Sequence, residues 1–459
     1  MFHVKHSLDD TIAAIATPPG VGGVGIVRIS GQAAISLLNK LFHPSKDLPI
    51  ENHYLYRGLV KAPGKENAVD QALACYMKSP NSFTGEDVVE IHCHGGEVVL
   101  KQVLNLAIKE GARLAERGEF TKRAFLNGKI DLLQAEAVID LVRARTEWGS
   151  EIAVEQLTGK LSKMVRNIKQ EIMNLTVRLE AEIDFPDDIE ETDINKLSEE
   201  INKIEVQIEQ LLATGEEGRV VREGVRLAIV GRPNVGKSSL LNALLGEERA
   251  IVTEIPGTTS DTIEEGINME GIPFVVIDTA GIREHKTQIE RLGIERTREE
   301  IKHADFIIII VDGSEEMNPD DNQLINEVKG RKGLLAINKI DLGRVGSDSF
   351  SNSSFKGIQI SAKTGQGIAA LKKAVVEEIL PKGALGERLN LCINNRHKQV
   401  LIRAEECLKM ARESCNIKAP MDCIAIDLRG AIRALEEVSG EAVSEEIINE
   451  IFSGFCVGK

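Results

Sequence analysis

Short apolar runs, separated by glycine, proline and polar residues, mark the first part of the chain. Runs of strand length occur at Thr11–Ala16, Gly25–Ile29, Ala72–Met77 and Val88–Ile91. Short apolar runs bounded by turn-forming residues are typical of β-strands. Because helical segments alternate with these runs, the pattern predicts an α+β domain over residues 1–126.

The apolar positions then change to a helical spacing. One stripe recurs at steps of three, four or their sum, and it consists of Leu157, Leu161, Met164, Ile168, Leu175 and Leu179. A second stripe alternates steps of three and four, and it consists of Ile194, Leu197, Ile201, Ile204, Ile208 and Leu211. Such spacings place apolar side chains on one face of a helix. We therefore predict helices between residues 127 and 214.

The stretch Asp187–Glu217 combines this helical spacing with a strong negative charge. It contains 11 acidic and 2 basic residues, and so supplies −9 of the chain's net charge of −15. A charge run on a helix usually marks a solvated face. We interpret the run as such a face, with an acidic docking surface as the alternative.

Strand-like runs return after Gly215–Gly218, where the glycines predict a break in the helical pattern. The runs alternate with helical segments, and they lie at Val225–Val230, Phe274–Ile277, Phe306–Val311 and Leu334–Ile337. This alternation predicts a parallel sheet with crossover helices. Helical spacing resumes beyond Pro381 and continues to Ile451.

These segments predict a multidomain α/β fold in which one domain interrupts another. The length of 459 residues is enough for two to four domains. We predict an N-terminal α+β domain over 1–126, a helical domain formed by 127–220 and 383–459, and an α/β domain inserted into it over 221–382. Insertions are tolerated where chain ends lie close together at a surface.

Composition excludes several classes of protein. The longest uninterrupted apolar run, Phe306–Val311, is far shorter than the ~18 residues of a membrane span. Asp9 and Asp10 interrupt the segment where the apolar core of a signal peptide would lie. Seven irregularly spaced cysteines indicate reduced thiols. We expect a soluble, cytoplasmic protein, and its charge of −15 means that RNA binding needs a local basic patch or a partner.

The loop Gly231–Ser238 follows a predicted strand and precedes a predicted helix, which is the setting of a phosphate-binding P-loop. Its glycines allow backbone N–H groups to turn toward phosphates. Lys237 would supply a positive charge near the β- and γ-phosphate oxygens, and Ser238 a hydroxyl for Mg²⁺. The loop therefore predicts a nucleotide site.

Three further motifs lie at predicted strand ends, and together they specify the base as guanine. Asp278–Gly281 would place a carboxylate near the metal and a glycine near the γ-phosphate. Asn338–Asp341 offers the Asp341 carboxylate, which can accept both N1–H and N2–H of guanine, whereas adenine has an acceptor at N1; such a site can reject the wrong base by roughly 10⁴-fold. Ser361–Lys363, which follows a strand predicted over Gly357–Ile360, would support the base from the other side.

Two features concern hydrolysis. Thr258 and Thr259 lie where a first switch belongs, and the second threonine would bind Mg²⁺ only while the γ-phosphate is present. Next to Gly281 the chain has Ile282 instead of the glutamine that positions water in Ras-type GTPases. Glu290 is a candidate replacement, and a surface carboxylate on a helix is the alternative interpretation.

The chain resembles the tRNA-modification GTPases called MnmE or TrmE from near its N-terminus to its last residue. Besides the GTPase motifs, the segments that carry the resemblance are Thr17–Gly25, Asn81–Asp87, Gly118–Phe120, Arg123–Leu126, Asp184–Pro186 and Phe455–Lys459. The resemblance implies a homodimer that acts with an FAD-containing partner, MnmG (GidA), in a heterotetramer. That assembly installs an aminomethyl or carboxymethylaminomethyl group at C5 of wobble uridine in certain tRNAs.

The resemblance also implies a one-carbon donor, a 5-formyl or 5,10-methylene tetrahydrofolate. Arg28, Glu90 and Lys129 match the family's folate-binding positions, with the terminal Lys459 nearby. A pterin ring offers an N–H edge to a carboxylate such as Glu90, and cations suit the glutamate carboxylates of folate. Without the resemblance, Arg28 and Lys129 would be read as ordinary surface charges.

The family's GTPase domain is stimulated by K⁺. Asn234 matches the residue that offers a side-chain oxygen to K⁺, and Thr253, Ile255 and Thr258 would complete the cage. A cation there can act as an arginine finger does, a role worth roughly 10³–10⁵ in rate. Glu290 matches the family's water-activating acid, while Ser238 and Thr259 would bind Mg²⁺.

The full set of GTP-binding residues that this resemblance predicts is Asn234, Val235, Gly236, Lys237, Ser238, Ser239, Thr253, Glu254, Ile255, Pro256, Gly257, Thr258, Thr259, Asp278, Thr279, Ala280, Gly281, Asn338, Lys339, Asp341, Ser361, Ala362 and Lys363.

Rival interpretations remain at this point. An Era-like ribosome-assembly switch would bind RNA without modifying it, and should carry a module such as a KH domain with its Gly-x-x-Gly clamp. Residues 385–459 have a helical pattern and lack that loop. A signalling switch would bind no folate. His92 and His94 would share one strand face, but no further ligand cluster is evident, so structural roles are favoured over a metal site.

Overall fold

The structure, a computed structural model, describes residues 10–46, 49–188, 191–246, 265–277, 301–343, 353–380 and 392–459. They belong to two compact units. The first unit runs to Ile139 and includes Leu157–Asn174 and Ile432–Lys459. The second consists of Asp140–Gln156 and Leu175–Ala431.

Within the described ranges, the first unit contains a seven-stranded sheet of order β3-β4-β5-β6-β2-β1-β7. Its strands are β1 (Ile12–Ile15), β2 (Gly22–Ser30), β3 (Phe42–Pro44), β4 (Leu55–Lys61), β5 (Ala68–Met77), β6 (Val88–Gly95) and β7 (Arg113–Leu114). Neighbouring strands are antiparallel except for the parallel pair β1 and β7. The strands predicted in this part of the chain are all present; β1 is shorter than predicted, whereas β2, β5 and β6 are longer.

The two faces of this sheet differ because side chains alternate along a strand. One face packs into a hydrophobic core that includes residues of α1 (Ala34–Leu41) and α2 (Glu97–Lys109). On the other face, Ile12 and Ala14 pack against Phe120 of α3 (Glu119–Leu126). Arg28 and Glu90 alternate with core residues of their strands, and they are cross-strand partners on this second face.

The end of the chain is anchored within the same unit. Leu132 and Ala135 of α4 (Leu132–Arg143) form a buried cluster with Phe452 and Phe455. Phe452 lies in α14 (Glu445–Ser453). The last residues then reach β1, because a Cβ atom on Gly458 would lie only 2.3 Å from the carbonyl oxygen of Ile15.

In the described part of the second unit, a six-stranded sheet has the order β13-β12-β11-β8-β10-β9. Its strands are β8 (Val225–Val230), β9 (Glu265–Met269), β10 (Ile272–Val276), β11 (Phe306–Asp312), β12 (Gly333–Asn338) and β13 (Gly357–Gln359). All neighbours are parallel except β9, which pairs antiparallel with β10. Every residue of β11 is buried, as expected for a central parallel strand.

Helical segments precede, separate and follow these strands along the chain. The other described helices are α5 (Glu147–Leu157), α6 (Lys160–Asp184), α7 (Ile194–Ala213), α8 (Gly215–Glu223), α9 (Lys237–Leu245), α10 (Pro319–Glu327), α11 (Ile368–Ile379), α12 (Asn395–Asn416) and α13 (Met421–Ser439). The predicted stripe of α7 is buried from Leu197 to Leu211. Glu205 of α7, also buried, accepts a 2.9 Å hydrogen bond from Arg412 of α12. No helix in the described ranges has the length and apolarity that a membrane crossing requires.

The predicted fold class is confirmed, but one local expectation is wrong and one strand was not predicted. The break at Gly215–Gly218 is instead the start of α8. Gly218 permits close packing, since a Cβ atom there would lie 2.7 Å from Cβ of Cys392. The antiparallel edge strand β9 was not anticipated, because its five residues form no continuous apolar run. The three predicted domain boundaries, after residues 126, 220 and 382, remain predictions.

Candidate functional site

A sharply turned loop joins β8 to α9 and contains the predicted P-loop. Asn234 and Gly236 have φ angles of 66° and 106°. A Cβ atom at position 236 would lie 2.3 Å from Nδ2 of Asn338, so this close approach requires glycine. The loop therefore presents backbone at the start of a helix, an arrangement that binds anions.

The ammonium group of Lys237 lies over this loop. Its Nζ donates to the carbonyl oxygens of Gly231, at 2.7 Å, and Arg232, at 2.9 Å. Ser238 and Ser239 follow in the first turn of α9, and both are exposed. A cation, two hydroxyl groups and a helix N-terminus thus converge where the sequence predicts the phosphates.

Asn338 joins the phosphate loop to the predicted base site. Its Nδ2 donates to the carbonyl oxygen of Val235 at 2.8 Å, and its Oδ1 accepts from the backbone N–H of Ala362 at 2.9 Å. Asn338 is buried at the end of β12. One amide therefore ties together three segments that are far apart in sequence.

The predicted guanine-binding carboxylate lies beside this amide. Asp341 is in a short 3₁₀ helix, Ile340–Leu342, and its Oδ1 accepts a 2.7 Å hydrogen bond from the hydroxyl of Ser361. Asp341 and Lys363 are both exposed. The structure thus brings together all three described motifs, namely the P-loop, 338–341 and 361–363.

Lys339 has a partner that the sequence did not predict. Its Nζ lies 2.5 Å from Oδ2 of Asp312, which is buried at the end of β11. Burial opposes ionisation of this carboxyl, but hydrogen bonds from Lys339 and Ser314 outweigh it, so the pKa of Asp312 is lowered. Asp312 therefore holds the lysine as a charged partner beside the base site.

Sequence reasoning also missed an ion pair behind the loop. Nε of Arg232 donates to Oδ1 of Asp321 at 2.7 Å, and Asp321 is only 2% exposed. The other oxygen of Asp321 accepts from the backbone N–H of Asn318 and so caps α10. The ion pair connects the P-loop to the start of that helix. Asn318 followed by Asp321 is a capping pattern that the sequence shows, but nothing in the sequence indicates that Arg232 pairs with Asp321.

Half of the predicted nucleotide site lies outside the described residues. These residues are Thr253, Glu254, Ile255, Pro256, Gly257, Thr258, Thr259, Asp278, Thr279, Ala280, Gly281 and Glu290. Of the predicted cation ligands, only Asn234 and Ser238 are described, and both are exposed. An amide oxygen and a hydroxyl are hard donors, which fit Mg²⁺ or K⁺.

A second polar cluster lies on the sheet of the first unit. Glu90 shares its two oxygens, because Oε1 lies 2.8 Å from Nε of Arg28 and Oε2 lies 3.2 Å from Nε2 of His92. Arg28 also donates to the carbonyl oxygen of Gly458 at 3.3 Å. Its guanidinium carbon lies 5.6 Å from the centre of the Phe120 ring. Two predicted folate positions and the C-terminal segment are thus brought together.

The electrostatics of this cluster favour an ionised carboxylate. The hydrogen bond with His92 and the charge of Arg28 lower the pKa of Glu90, although burial acts in the opposite direction. Burial and the nearby Glu90 raise the pKa of the Cys75 thiol. Glu90 is therefore a charged acceptor, and Cys75 a protonated thiol across the strand from it.

The other two predicted folate residues are Lys129 and Lys459. Nζ of Lys129 donates to the carbonyl oxygen of Pro80 at 2.9 Å. Lys459 follows directly on Gly458 at the end of the chain. The imidazole of His94 pairs with Asp70 rather than His92. Among the described residues, no group of three or more His, Cys, Asp or Glu could hold a metal ion.

Comparisons with known proteins agree over almost the whole chain. The family model described as the MnmE helical domain matches residues 132–456, and that of the GTP-binding protein TrmE N-terminus matches 11–129. The tRNA modification GTPase MnmE of Acetivibrio thermocellus is 46% identical, covering 98% of this chain and 99% of its own length. That of Carboxydothermus hydrogenoformans is also 46% identical, covering 98% and 100%.

One solved structure is similar to about a third of this chain. The G domain of the T. maritima FeoB iron transporter is 27% identical, covering 34% of this chain and 98% of that chain at a TM-score of 0.26.

Proposed function

The chain belongs to the MnmE family of tRNA modification GTPases, and on that premise we propose that it hydrolyses GTP as part of the modification of wobble uridine in tRNA. The product would carry an aminomethyl or carboxymethylaminomethyl group at C5 of that uridine. The one-carbon unit would come from a tetrahydrofolate derivative, and an FAD-containing partner of the MnmG (GidA) type would take part.

The observation that carries the proposal is the double hydrogen bonding of Asn338 to Val235 and Ala362. These bonds link the phosphate loop to the segments that carry Asp341 and Ser361, at the ends of the parallel strands β12 and β13, where α/β folds bind ligands. A lysine at one end and a carboxylate at the other match the two ends of a guanine nucleotide. In this proposal Lys237 binds the phosphates and Asp341 reads the base.

Cations and an acid would supply the hydrolytic chemistry. Ser238 and Thr259 would hold Mg²⁺, while Asn234, Thr253, Ile255 and Thr258 would hold K⁺, whose positive charge stabilises charge on the transferring phosphoryl group. Glu290 would orient the attacking water. The exposure of Asn234 in the loop supports its part, because its amide oxygen is accessible to a cation.

The cluster around Glu90 is proposed to bind the folate. Its carboxylate would accept hydrogen bonds from the pterin edge, while Arg28, Lys129 and Lys459 would face carboxylates of the ligand. We further propose that the chain forms a homodimer, assembles with the flavin partner in a heterotetramer and works in the cytoplasm. The net charge of −15 supports a partner that supplies the basic surface for tRNA.

An Era-like ribosome-assembly switch is the less favoured alternative. The named relatives match 98% of this chain, so the similarity extends through the first sheet and the C-terminal helices as well as the nucleotide-binding part. A switch that only bound RNA would have no use for the cluster of Arg28, Glu90 and Gly458.

The proposal is tested by measuring GTP hydrolysis and reduced-folate binding on the same purified chain. We expect hydrolysis of GTP but not ATP, together with saturable binding of 5-formyl-tetrahydrofolate that is lost in Glu90→Ala. Hydrolysis without folate binding would support the switch alternative. Absence of both would refute the proposal.

A further inference from the structure

The sequence contains a single tryptophan, Trp148, and its ring lies against a glycine of the nucleotide-binding sheet. A Cβ atom built on Gly271 would lie 2.8 Å from Cδ2 and 3.1 Å from Cε2 of the indole. Gly271 has a φ angle of 86° in the turn between β9 and β10. The ring therefore rests directly on the backbone of this turn, and a larger residue there would push it away.

The hairpin formed by β9 and β10 connects two predicted nucleotide-contacting segments. β9 begins at Glu265, six residues after Thr259, and β10 ends at Val276, two residues before Asp278. The two strands are paired without interruption from Glu265–Val276 to Met269–Ile272, and the side-chain oxygen of Asn268 accepts from the N–H of Gly271 at 3.0 Å. A displacement at either end of the hairpin is thus transmitted to its turn.

The other side of the tryptophan is held by helical segments. Trp148 lies in the first turn of α5 and packs against a buried cluster of Ile152, Val221 and Cys392. The carbonyl oxygen of Cys392 accepts hydrogen bonds from Gln156 of α5 and Arg222 of α8. Movement of the ring therefore strains a junction of several segments rather than one free side chain.

We propose that Trp148 is a positioning residue that couples the nucleotide state, through the β9–β10 hairpin, to the junction of α5 with α8. The inference rests on the proposed function, because Thr259 and Asp278 are nucleotide contacts only in that account. In that account, GTP contacts the segments at both ends of the hairpin, whereas GDP makes fewer of these contacts. The turn at Gly271 therefore takes two positions. The indole follows the turn and carries the difference to α5.

The tryptophan itself provides the test, since all tryptophan fluorescence of the chain comes from this position. The full chain is titrated with GDP and with a non-hydrolysable GTP analogue in the presence of Mg²⁺ and K⁺, and binding is measured separately by calorimetry. We expect the emission maximum or intensity to differ between the two bound states. If both nucleotides bind and the emission is the same, the inference is wrong; if neither binds, the proposed function fails first.

A pair of glycine variants separates the contact from the backbone. Gly271→Ala should abolish most of the difference between the two nucleotide states. Gly330→Ala is the matched control, because Gly330 has a φ angle of 87° but a Cβ atom there would meet nothing within 4 Å. Both variants carry the same backbone strain, so an equal loss of the fluorescence response in both would overturn the assignment of the Trp148–Gly271 contact.

Discussion

The hydroxyl of Ser361 donates a 2.7 Å hydrogen bond to Oδ1 of Asp341, and this contact orients the carboxylate that we propose binds guanine. The partner residue follows β13 and the carboxylate follows β12, which are adjacent parallel strands. The orientation of Asp341 therefore depends on the sheet rather than on its own exposed 3₁₀ helix.

Replacing this carboxylate should change the nucleotide preference. Asp341→Asn should weaken GTP binding by at least about tenfold, because a charged hydrogen bond to the base is lost. It should also strengthen binding of xanthosine triphosphate, whose base offers an acceptor where guanine has an amino group. Competition binding measures both. Asp320→Asn, at an exposed carboxylate of α10, should leave the preference unchanged; unaltered GTP selectivity in Asp341→Asn would remove Asp341 from the base site.

Potassium should accelerate hydrolysis. Exchanging Na⁺ for K⁺ at constant ionic strength should raise the GTP turnover number by roughly tenfold or more, since a bound cation acts as an arginine finger does. Asn234→Ala should remove the difference between the two ions while retaining nucleotide binding. Equal rates of the unaltered chain in both salts would contradict the cation site.

Glu290 should affect chemistry rather than affinity. Glu290→Ala should slow turnover at least about tenfold with GTP affinity near that of the unaltered chain, because general base or water-orienting groups contribute 10²–10⁴-fold. Single-turnover kinetics and calorimetry distinguish the two quantities. Glu295→Ala, a second carboxylate of the same segment, should turn over normally, and an equal effect in both variants would argue against a specific role for Glu290.

The ion pair between Arg232 and Asp321 should contribute to stability. Arg232→Gln leaves the buried Asp321 carboxylate without its charged donor, so the free energy of unfolding should fall by about 1–3 kcal/mol. Urea denaturation measures this change. Arg226→Gln makes the same charge change at an exposed position of β8, and it should cost much less. Similar losses in the two variants would mean that the pair does not anchor the loop.

The lowered pKa of Glu90 predicts a pH dependence of stability. Because the folded state holds this carboxyl ionised, its stabilising contribution is present above the unfolded pKa of about 4.3 and is lost as the pH falls through the lower folded pKa. Glu90→Gln should therefore lose less stability than the unaltered chain between about pH 5 and pH 2. Denaturation at several pH values tests this, with Glu51→Gln as the exposed control. Parallel curves for Glu90→Gln and the unaltered chain would contradict it.

Local motifs explain how much of the nucleotide site was predictable. The P-loop lies between strand and helix because its glycines, Lys237 and Ser238 fix a local geometry, and Asn338 and Asp341 follow a strand whose apolar run is plain in the sequence. The link from Asn338 to Val235 spans 103 positions. This hydrogen bond depends on the order of the strands in the sheet. The sequence pattern predicted a parallel sheet but not its strand order.

Pairings that depend on register were not predictable. Arg28 faces Glu90 because β2 and β6 are neighbours in one particular register, and no local signal specifies that alignment. His92 lies two residues from Glu90, so strand alternation predicts that both side chains are on the same face. That His92 and Arg28 both hydrogen-bond to the Glu90 carboxylate is seen only in the structure. Trp148 lies within the region predicted to be helical, and its partner Gly271 is 123 positions away in the sequence, so no local pattern indicates their contact.

Mass analysis of tRNA nucleosides is the decisive measurement of whether this chain uses GTP to modify wobble uridine. Cells lacking the protein should lose C5-substituted wobble uridines, and the unaltered gene should restore them whereas Lys237→Ala should not. Wobble nucleosides that are unchanged in the deletion strain would contradict the claim.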